Sequence, residues 1–468
     1  MEMMNKHKTI VSIVTPLGEG GIGKIIVSGH DALSIVNKVF QGKGIADLNQ
    51  AASHKLYYGH VYDKGERIDE IILNVMRQED SFTGEDVVEI NCHGGIRVVM
   101  RIYELLQSSG AEGVDWDSLF QRSFENDKID FIQKEAFQEL IHARTKLGLK
   151  VLLDQYGGAL SGALQQGLEI IEGIRQSLLV KNNENTPPLP PPLQGGGAGG
   201  FENEFNTSIS VLTEHVRYSL ETASFGVSLT TPQVLVILGK PNVGKSTLIN
   251  AILGEDRMLV HHEPGTTRDY VSEFISIKDI PFELVDTAGV RETSDMLEVM
   301  SIEMTQEQLQ RADKVIVVFD NSRNFDHEDE GILNALNSWL TIKACNDSQQ
   351  KVNTNAIIPV VNKCDLPAKL DKLRIEAALH QPVCCISALN KKGFEDLNKR
   401  LVQEFDTAYS PMKSVVFNKR QYLLLSKANV LMKEKIDCLT AKNISDKTLQ
   451  VLDKLKDIFR ACLEGASS

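Results

Sequence analysis

The segment Gly239-Lys-Pro-Asn-Val-Gly244-Lys245-Ser246 has the spacing G-x-x-x-x-G-K-S, and the chemistry that spacing serves is the cradling of phosphate. Its glycines let successive backbone N–H groups turn toward an anion at the start of a helix, here expected over Ser246–Leu253. In such a loop Lys245 reaches the β- and γ-phosphates of a nucleotide, and the Ser246 hydroxyl ligates Mg²⁺. Asn242, Val243, Gly244 and Thr247 complete the expected phosphate contacts. The apolar run Val234–Leu238 just ahead reads as a buried strand.

Further elements follow in order. Thr267, in Pro264-Gly265-Thr266-Thr267-Arg-Asp269, can bind Mg²⁺ only when a γ-phosphate is present, which makes that loop a switch. His261, His262 and Glu263 precede it and are assigned to the same nucleotide contact. Asp286-Thr287-Ala288-Gly289 follows the run Phe282–Val285, with Asp286 placed to support Mg²⁺ and the Gly289 N–H to sense the γ-phosphate. Asn362-Lys363-Cys-Asp365 follows the strand-like run Ile357–Val361. The Asp365 carboxylate can accept two N–H bonds from guanine, a paired contact that adenine cannot supply. Ser387-Ala388-Leu389 closes the base pocket. The set predicts a GTP-hydrolysing switch protein.

Two residues restrict the mechanism. Val290 follows Gly289, where Ras-like proteins carry the glutamine that orients the attacking water. Valine has no polar atom, so another group must do that work. Asn242 could supply an amide oxygen to a K⁺ ion near the β- and γ-phosphates, offsetting developing charge as an arginine finger does. Its other reading is a plain turn residue.

These motifs need a scaffold. A chain of 468 residues is too long for one core, so two to four domains are expected. Hydrophobic content of 42% with 24% charged residues is globular, and a formal charge of -13 argues against non-specific coating of nucleic acid. Seven scattered cysteines with no C-x-x-C pair suit a reducing compartment without disulfides. No apolar run approaches ~18 residues, and the N-terminal run is too short for a signal peptide, so a cytoplasmic chain away from the membrane is expected. Residues 1–119 mix β-like runs with helix-like ones such as Ile96–Gln107, an α+β domain. Residues 120–230 read as helical, interrupted by a Pro/Gly-rich linker over 181–200. Residues 231–406 alternate strands and helices, an inserted α/β domain with a mostly parallel sheet. Residues 407–468 are helical again and are expected to pack on the earlier helices. They carry 11 Lys/Arg against 6 Asp/Glu, a face for nucleic-acid phosphates or simply a solvated helix surface.

The chain resembles the MnmE (TrmE) family of bacterial tRNA-modification GTPases, within the TrmE-Era-EngA-YihA-Septin-like class. Carrying the resemblance are Thr9–Gly23, Ser81-Phe-Thr-Gly-Glu-Asp-Val-Val-Glu89, His93-Gly-Gly95 and Asn126-Asp-Lys-Ile-Asp130, together with the domain order. It implies a homodimer whose N-terminal domain binds a tetrahydrofolate one-carbon donor, with contacts at Glu89 and Lys128. It implies an FAD-dependent partner protein, MnmG (GidA), and addition of a carboxymethylaminomethyl group to C5 of the wobble uridine of tRNA. It further implies a K⁺-stimulated GTPase with Asn242, His261, Glu263 and Thr266 around the cation, Ser246 and Thr267 on Mg²⁺, and Glu298 orienting water. Glu298, Asn242 and Lys245 are then the catalytic set. Read without the resemblance, Glu89 is a strand-end surface charge and Lys128 a solvated helix-start lysine.

Departures bear on activity. Glu19 and Ile26 stand where the family has arginines, and isoleucine cannot hydrogen-bond a folate. The chain ends Cys462-Leu-Glu-Gly-Ala-Ser-Ser468 where the family has Cys-Ile-Gly-Lys, and Cys462 reads as a packing residue. A ribosome-assembly switch or a degenerate paralogue that hydrolyses GTP without modifying uridine is the alternative.

Overall fold

The computed structural model describes residues 8–182, 199–256, 273–285, 309–346, 356–405, 414–435 and 446–465. They fall in two compact units, Met1–Gln138 with Leu463–Gly465 and Glu139–Cys462 with Ala466–Ser468.

The first unit is built on a seven-stranded sheet of β1 (Ile10–Ile13), β2 (Ile22–Ser28), β3 (Phe40–Gly42), β4 (Lys55–Asp63), β5 (Glu66–Met76), β6 (Val87–His93) and β7 (Glu112–Gly113). Their order is β3-β4-β5-β6-β2-β1-β7. All pairs are antiparallel except β1 with β7. Strand alternation sorts the side chains of β2 and β6 onto opposite faces. Ile25, Val27, Val88 and Ile90 join the core under the helix α2 (Ile96–Ser108), which contributes Val99, Ile102 and Leu106 at helical spacing. Ile26 and Val87 face the other way, into a small cluster with Ile10, Met76 and Leu119. Leu119 lies on the helix α3 (Asp117–Glu125), followed by α4 (Phe131–Ile141).

The second unit holds a six-stranded sheet in the order β13-β12-β11-β8-β10-β9. Its strands are β8 (Gln233–Leu238), β9 (Glu273–Ile277), β10 (Ile280–Leu284), β11 (Lys314–Asp320), β12 (Ile357–Asn362) and β13 (Cys384–Cys385). Every pairing is parallel except β9 with β10. Strands β11 and β12 are buried along their whole length, as a sheet covered on both faces requires. This is the mostly parallel sheet expected from alternating strands and helices.

Gly157 caps α5 (Lys146–Tyr156) and α6 (Ala159–Asn182) begins two residues later, so the glycine pair does divide two helices. Helix α6 continues to Asn182 and α7 (Gly199–Glu221) starts at Gly199, so helix reaches both ends of the stretch read as linker. Residues 183–198 lie outside the described residues. Late helices close on these early ones. Lys456 and Asp453, on the helix Asp446–Glu464, pair with Glu172 at 2.6 Å and Arg175 at 3.0 Å on α6. Phe459 is fully buried against α6 at Gly167, where a Cβ would stand 2.4 Å from its Cε2. Thr230 Oγ1, at the end of α8 (Ala223–Thr230), donates to the Phe417 carbonyl at 2.6 Å. The multidomain α/β and α+β architecture read from the sequence is the one observed. No described helix is long and apolar enough to cross a membrane.

Candidate functional site

Strand β8 lies centrally in its sheet, and its C-terminal end delivers the phosphate-loop residues to the start of α9 (Lys245–Asp256). The turn needs glycine at two places. Gly239 has φ +151, and a Cβ there would stand 2.5 Å from the Val318 carbonyl oxygen. Gly244 has φ +99, and its Cβ would stand 2.3 Å from Asn362 Nδ2. Between them Asn242 is left-handed at φ +64, with its side chain exposed. Val243 turns inward and is buried in the core. Ser246 and Thr247 stand exposed on the first turn of the helix, where backbone N–H groups favour an anion.

Lysines brace this loop. Lys245 Nζ donates to the carbonyls of Gly239 at 2.6 Å and Lys240 at 2.9 Å, and burial holds its pKa below the ordinary lysine value. Burial alone would lower Lys240 as well, but hydrogen bonds to Asp326 and Asp329, each 2.7 Å, outweigh it and raise the group. Lys363, left-handed at φ +61, donates to the Asn242 carbonyl at 2.7 Å and to Asp320 Oδ2 at 2.6 Å. Burial by itself would raise the Asp320 carboxyl. The bonds from Lys363 and Ser322 outweigh it and hold the group below the usual carboxylate range.

The base-pocket motifs are tied to the phosphate loop by one buried amide. Asn362 Nδ2 donates to the Val243 carbonyl at 3.0 Å, and its Oδ1 accepts from Ala388 N at 2.9 Å. Asp365 accepts from the Ser387 hydroxyl at 2.6 Å, which fixes its carboxylate against the Ser387–Leu389 segment. Leu389 is exposed at the rim. Phosphate loop, Asn362–Asp365 and Ser387–Leu389 are therefore brought together as the spacing implied. The bracing acids Asp320, Asp326 and Asp329 were missed by sequence reading, because no phosphate-loop pattern names them. Residues His261 to Thr267, Asp286 to Gly289, and Glu298 lie outside the described residues. The end of β10 at Leu284, from which Asp286 follows, pairs directly with β8 at Leu235.

In the first unit, Glu89 Oε2 accepts from Lys24 Nζ at 3.3 Å and Asn74 Nδ2 at 3.4 Å. Ile26 is the register partner of Glu89 but is buried in the apolar cluster. The cation beside Glu89 thus comes from Lys24, two residues earlier on the same face of β2, a pairing visible in sequence only once the register is known. Lys128 has its own contacts. It donates to the Glu79 carbonyl at 3.1 Å and lines an open polar cleft of about 560 Å³ with Gln78, Glu79, Gly84, Glu125, Asn126 and Asp127. Glu89 does not line that cleft. The Ser81–Asp86 motif itself is an internal tie. Ser28 bonds Thr83 at 2.8 Å and Glu85 at 2.9 Å, and the buried Arg122 pairs with Glu85 at 2.8 Å.

The donor set at the loop suits a hard cation: a hydroxyl at Ser246 and an amide oxygen at Asn242. Among the described residues no group of three or more His, Cys, Asp or Glu side chains could hold a metal.

The family model described as the GTP-binding protein TrmE N-terminus matches residues 9–128, and that of a 50S ribosome-binding GTPase matches residues 234–363. The tRNA modification GTPase MnmE of Alkaliphilus metalliredigens is 37% identical over 411 residues, covering 84% of this chain and 81% of its own. That of Geobacillus kaustophilus is 34% identical over 414 residues, covering 86% and 83%. That of Lactococcus lactis subsp. lactis is 34% identical over 440 residues, covering 93% and 89%. With the phosphate loop and the Asn362–Asp365 and Ser387–Leu389 motifs assembled on one mostly parallel sheet, and the likeness running through both units, the chain is a GTP-binding hydrolase that belongs to the MnmE (TrmE) family.

Proposed function

We propose that this GTPase works in tRNA modification, adding a carboxymethylaminomethyl group to C5 of the wobble uridine together with the FAD-dependent protein MnmG. The reading is supported above all by one observation: a likeness to MnmE proteins that extends beyond the nucleotide domain through the N-terminal sheet. In this reading the domains are 1–119, 120–230 with 407–468, and 231–406, and the chain works as a homodimer in the cytoplasm.

GTP is held by the phosphate loop, with Ser246 and Thr267 on Mg²⁺, and guanine is recognised by Asp365. Ser246 and Thr267 would hold the Mg²⁺, and Asn242, His261, Glu263 and Thr266 a K⁺, each of which would supply positive charge against the phosphates. Lys245 meets the phosphates with an ammonium already poised by two carbonyls. Glu298 orients the attacking water in place of Val290, so Glu298→Ala lowers turnover while GTP affinity stays nearly constant. The N-terminal domain receives a reduced folate at Glu89 and Lys128.

The test is mass spectrometry of wobble uridines in a strain lacking the gene, with and without this chain restored. Return of the modified uridine supports the reading. Unmodified uridine in a strain where the protein is made and hydrolyses GTP would leave the ribosome-assembly or paralogue reading.

A further inference from the structure

Two cysteines meet at the guanine end of the nucleotide site. Cys364 lies inside Asn362–Asp365, and Cys385 lies on β13, two residues before Ser387. Parallel pairing sets Val361 against Cys385, and Cys364 N donates to the Ile386 carbonyl at 3.0 Å, so the two segments run side by side. The Cys364 thiol donates to the Val361 carbonyl at 3.2 Å and lies near enough to Cys385 to feel its sulfur, and both cysteines are free. Cys385 is exposed, and Lys372 Nζ stands 3.3 Å from its sulfur. An ammonium beside an exposed sulfur favours its attack on an oxidant. Cys364 is half-buried, and burial first, then the neighbouring sulfur, pushes its thiol up to about 11. Its place beside Cys385, not its acidity, makes it the thiol that can resolve what forms there, and it must give up its proton as it does so. Cys384, next in sequence, is buried and turned to Asp396 at 3.3 Å, away from this pair.

We propose that Cys364 and Cys385 form an oxidation site, at which a peroxide joins them in a disulfide that weakens guanine-nucleotide binding. This rests on the assignment of Asp365 to guanine. In the first step the Cys385 sulfur attacks the peroxide O–O bond, giving a sulfenic acid on Cys385 and releasing an alcohol, or water from hydrogen peroxide. In the second, the Cys364 sulfur displaces the sulfenic oxygen, which leaves as water with the Cys364 proton. Two electrons pass from the two sulfurs to the peroxide. Closing the bond brings the sulfurs to about 2.05 Å, well inside hydrogen-bond distance. Cys364 must shift to reach that separation, and Asp365 follows it in the chain. Loss of one charge-assisted bond to guanine corresponds to an affinity about tenfold lower. In a reducing compartment such a bond is transient and thiols reverse it.

The experiment treats the full chain with hydrogen peroxide, then measures affinity for a fluorescent GDP analogue and maps disulfides by mass spectrometry of unreduced peptides. A Cys364–Cys385 link, an affinity about tenfold lower, recovery with dithiothreitol, and insensitivity of Cys385→Ser are the expected results. Lys372→Ala should slow formation of the link. A link between Cys384 and Cys385 instead, no link at all, or a link without change in affinity would overturn the proposal. Asp365→Ala in reduced protein separates the two assumptions. If that variant binds GDP unchanged, the guanine assignment has failed. If it binds poorly while oxidised wild type binds normally, the redox coupling has failed.

Discussion

The amide of Asn362 donates to the Val243 carbonyl at 3.0 Å, joining the segment proposed to recognise the base to the phosphate-loop segment. The same side chain receives the Ala388 N–H, so one buried residue ties three motifs. Removing it strands two buried backbone groups, each costing about 1–3 kcal/mol. Asn362→Ala is expected to lower the melting temperature and to weaken GDP binding at least about tenfold. Calorimetry with and without GDP checks this, and unchanged values would show the bridge to be dispensable.

Hydrolysis should run faster in K⁺ than in Na⁺ at equal ionic strength. Asn242 presents an exposed amide on a left-handed turn whose carbonyl is already held by Lys363. Asn242→Ala should remove the K⁺ preference, with a loss on the order of 10²-fold in rate and little change in GTP affinity. Equal rates in the two salts for the unaltered protein would sink the cation assignment.

His93 should titrate above its ordinary value of 6.5. Asp69 accepts from the His93 backbone N–H at 2.9 Å and pairs with the ring Nδ1 at 2.7 Å, and that bond and charge favour the protonated ring. A raised folded pKa means the pair's stabilisation is fully present below the unfolded value of about 6.5 and is lost as pH rises through the folded one. Proton NMR of the ring follows the titration directly. Asp69→Asn should return the midpoint to the ordinary range, and a wild-type midpoint at or below 6.5 would contradict the pairing.

Gly167→Ala should destabilise the helical packing. Its Cβ would stand 2.4 Å from Cε2 and 3.0 Å from Cδ2 of Phe459, a ring with no free space. Overpacking of this kind costs about 1–3 kcal/mol. Urea unfolding measures it, and Phe459→Leu in the same chain should recover part of the loss. Additive losses in the double variant would mean that the ring is not the obstacle.

Folate binding should depend on Lys24 more than the sequence departure at Ile26 suggests. Ile26→Arg would bury a guanidinium among Ile10, Met76, Val87 and Leu119, so it should reduce stability rather than restore an affinity. Lys24→Ala removes the cation held at 3.3 Å from Glu89. Calorimetry with 5-formyl-tetrahydrofolate should register about a tenfold weaker binding for that variant. Stronger binding by Ile26→Arg, with a normal melting temperature, would reverse this conclusion.

The nucleotide site was legible in the sequence because its chemistry is local. A phosphate loop works through backbone N–H groups of consecutive residues, so Gly239 to Ser246 must lie together along the chain, and the strand before and helix after follow from apolar periodicity. The guanine contact proposed for Asp365 equally rests on four adjacent residues. What only the tertiary structure decided is which distant groups meet. Asp320, Asp326 and Asp329 come to the loop lysines from β11 and from the start of the helix His327–Asn346, and no spacing rule links them. The register of β2 against β6 set Ile26 opposite Glu89 yet left Lys24 to supply the charge. Lys128 came to line a cleft with Gln78, Glu79 and Gly84, to which Glu89 does not contribute. Strand pairing between β12 and β13 set the segments of Cys364 and Cys385 side by side across twenty residues of intervening sequence. Register and long-range packing depend on the sum of many weak contacts, which one-dimensional patterns do not encode.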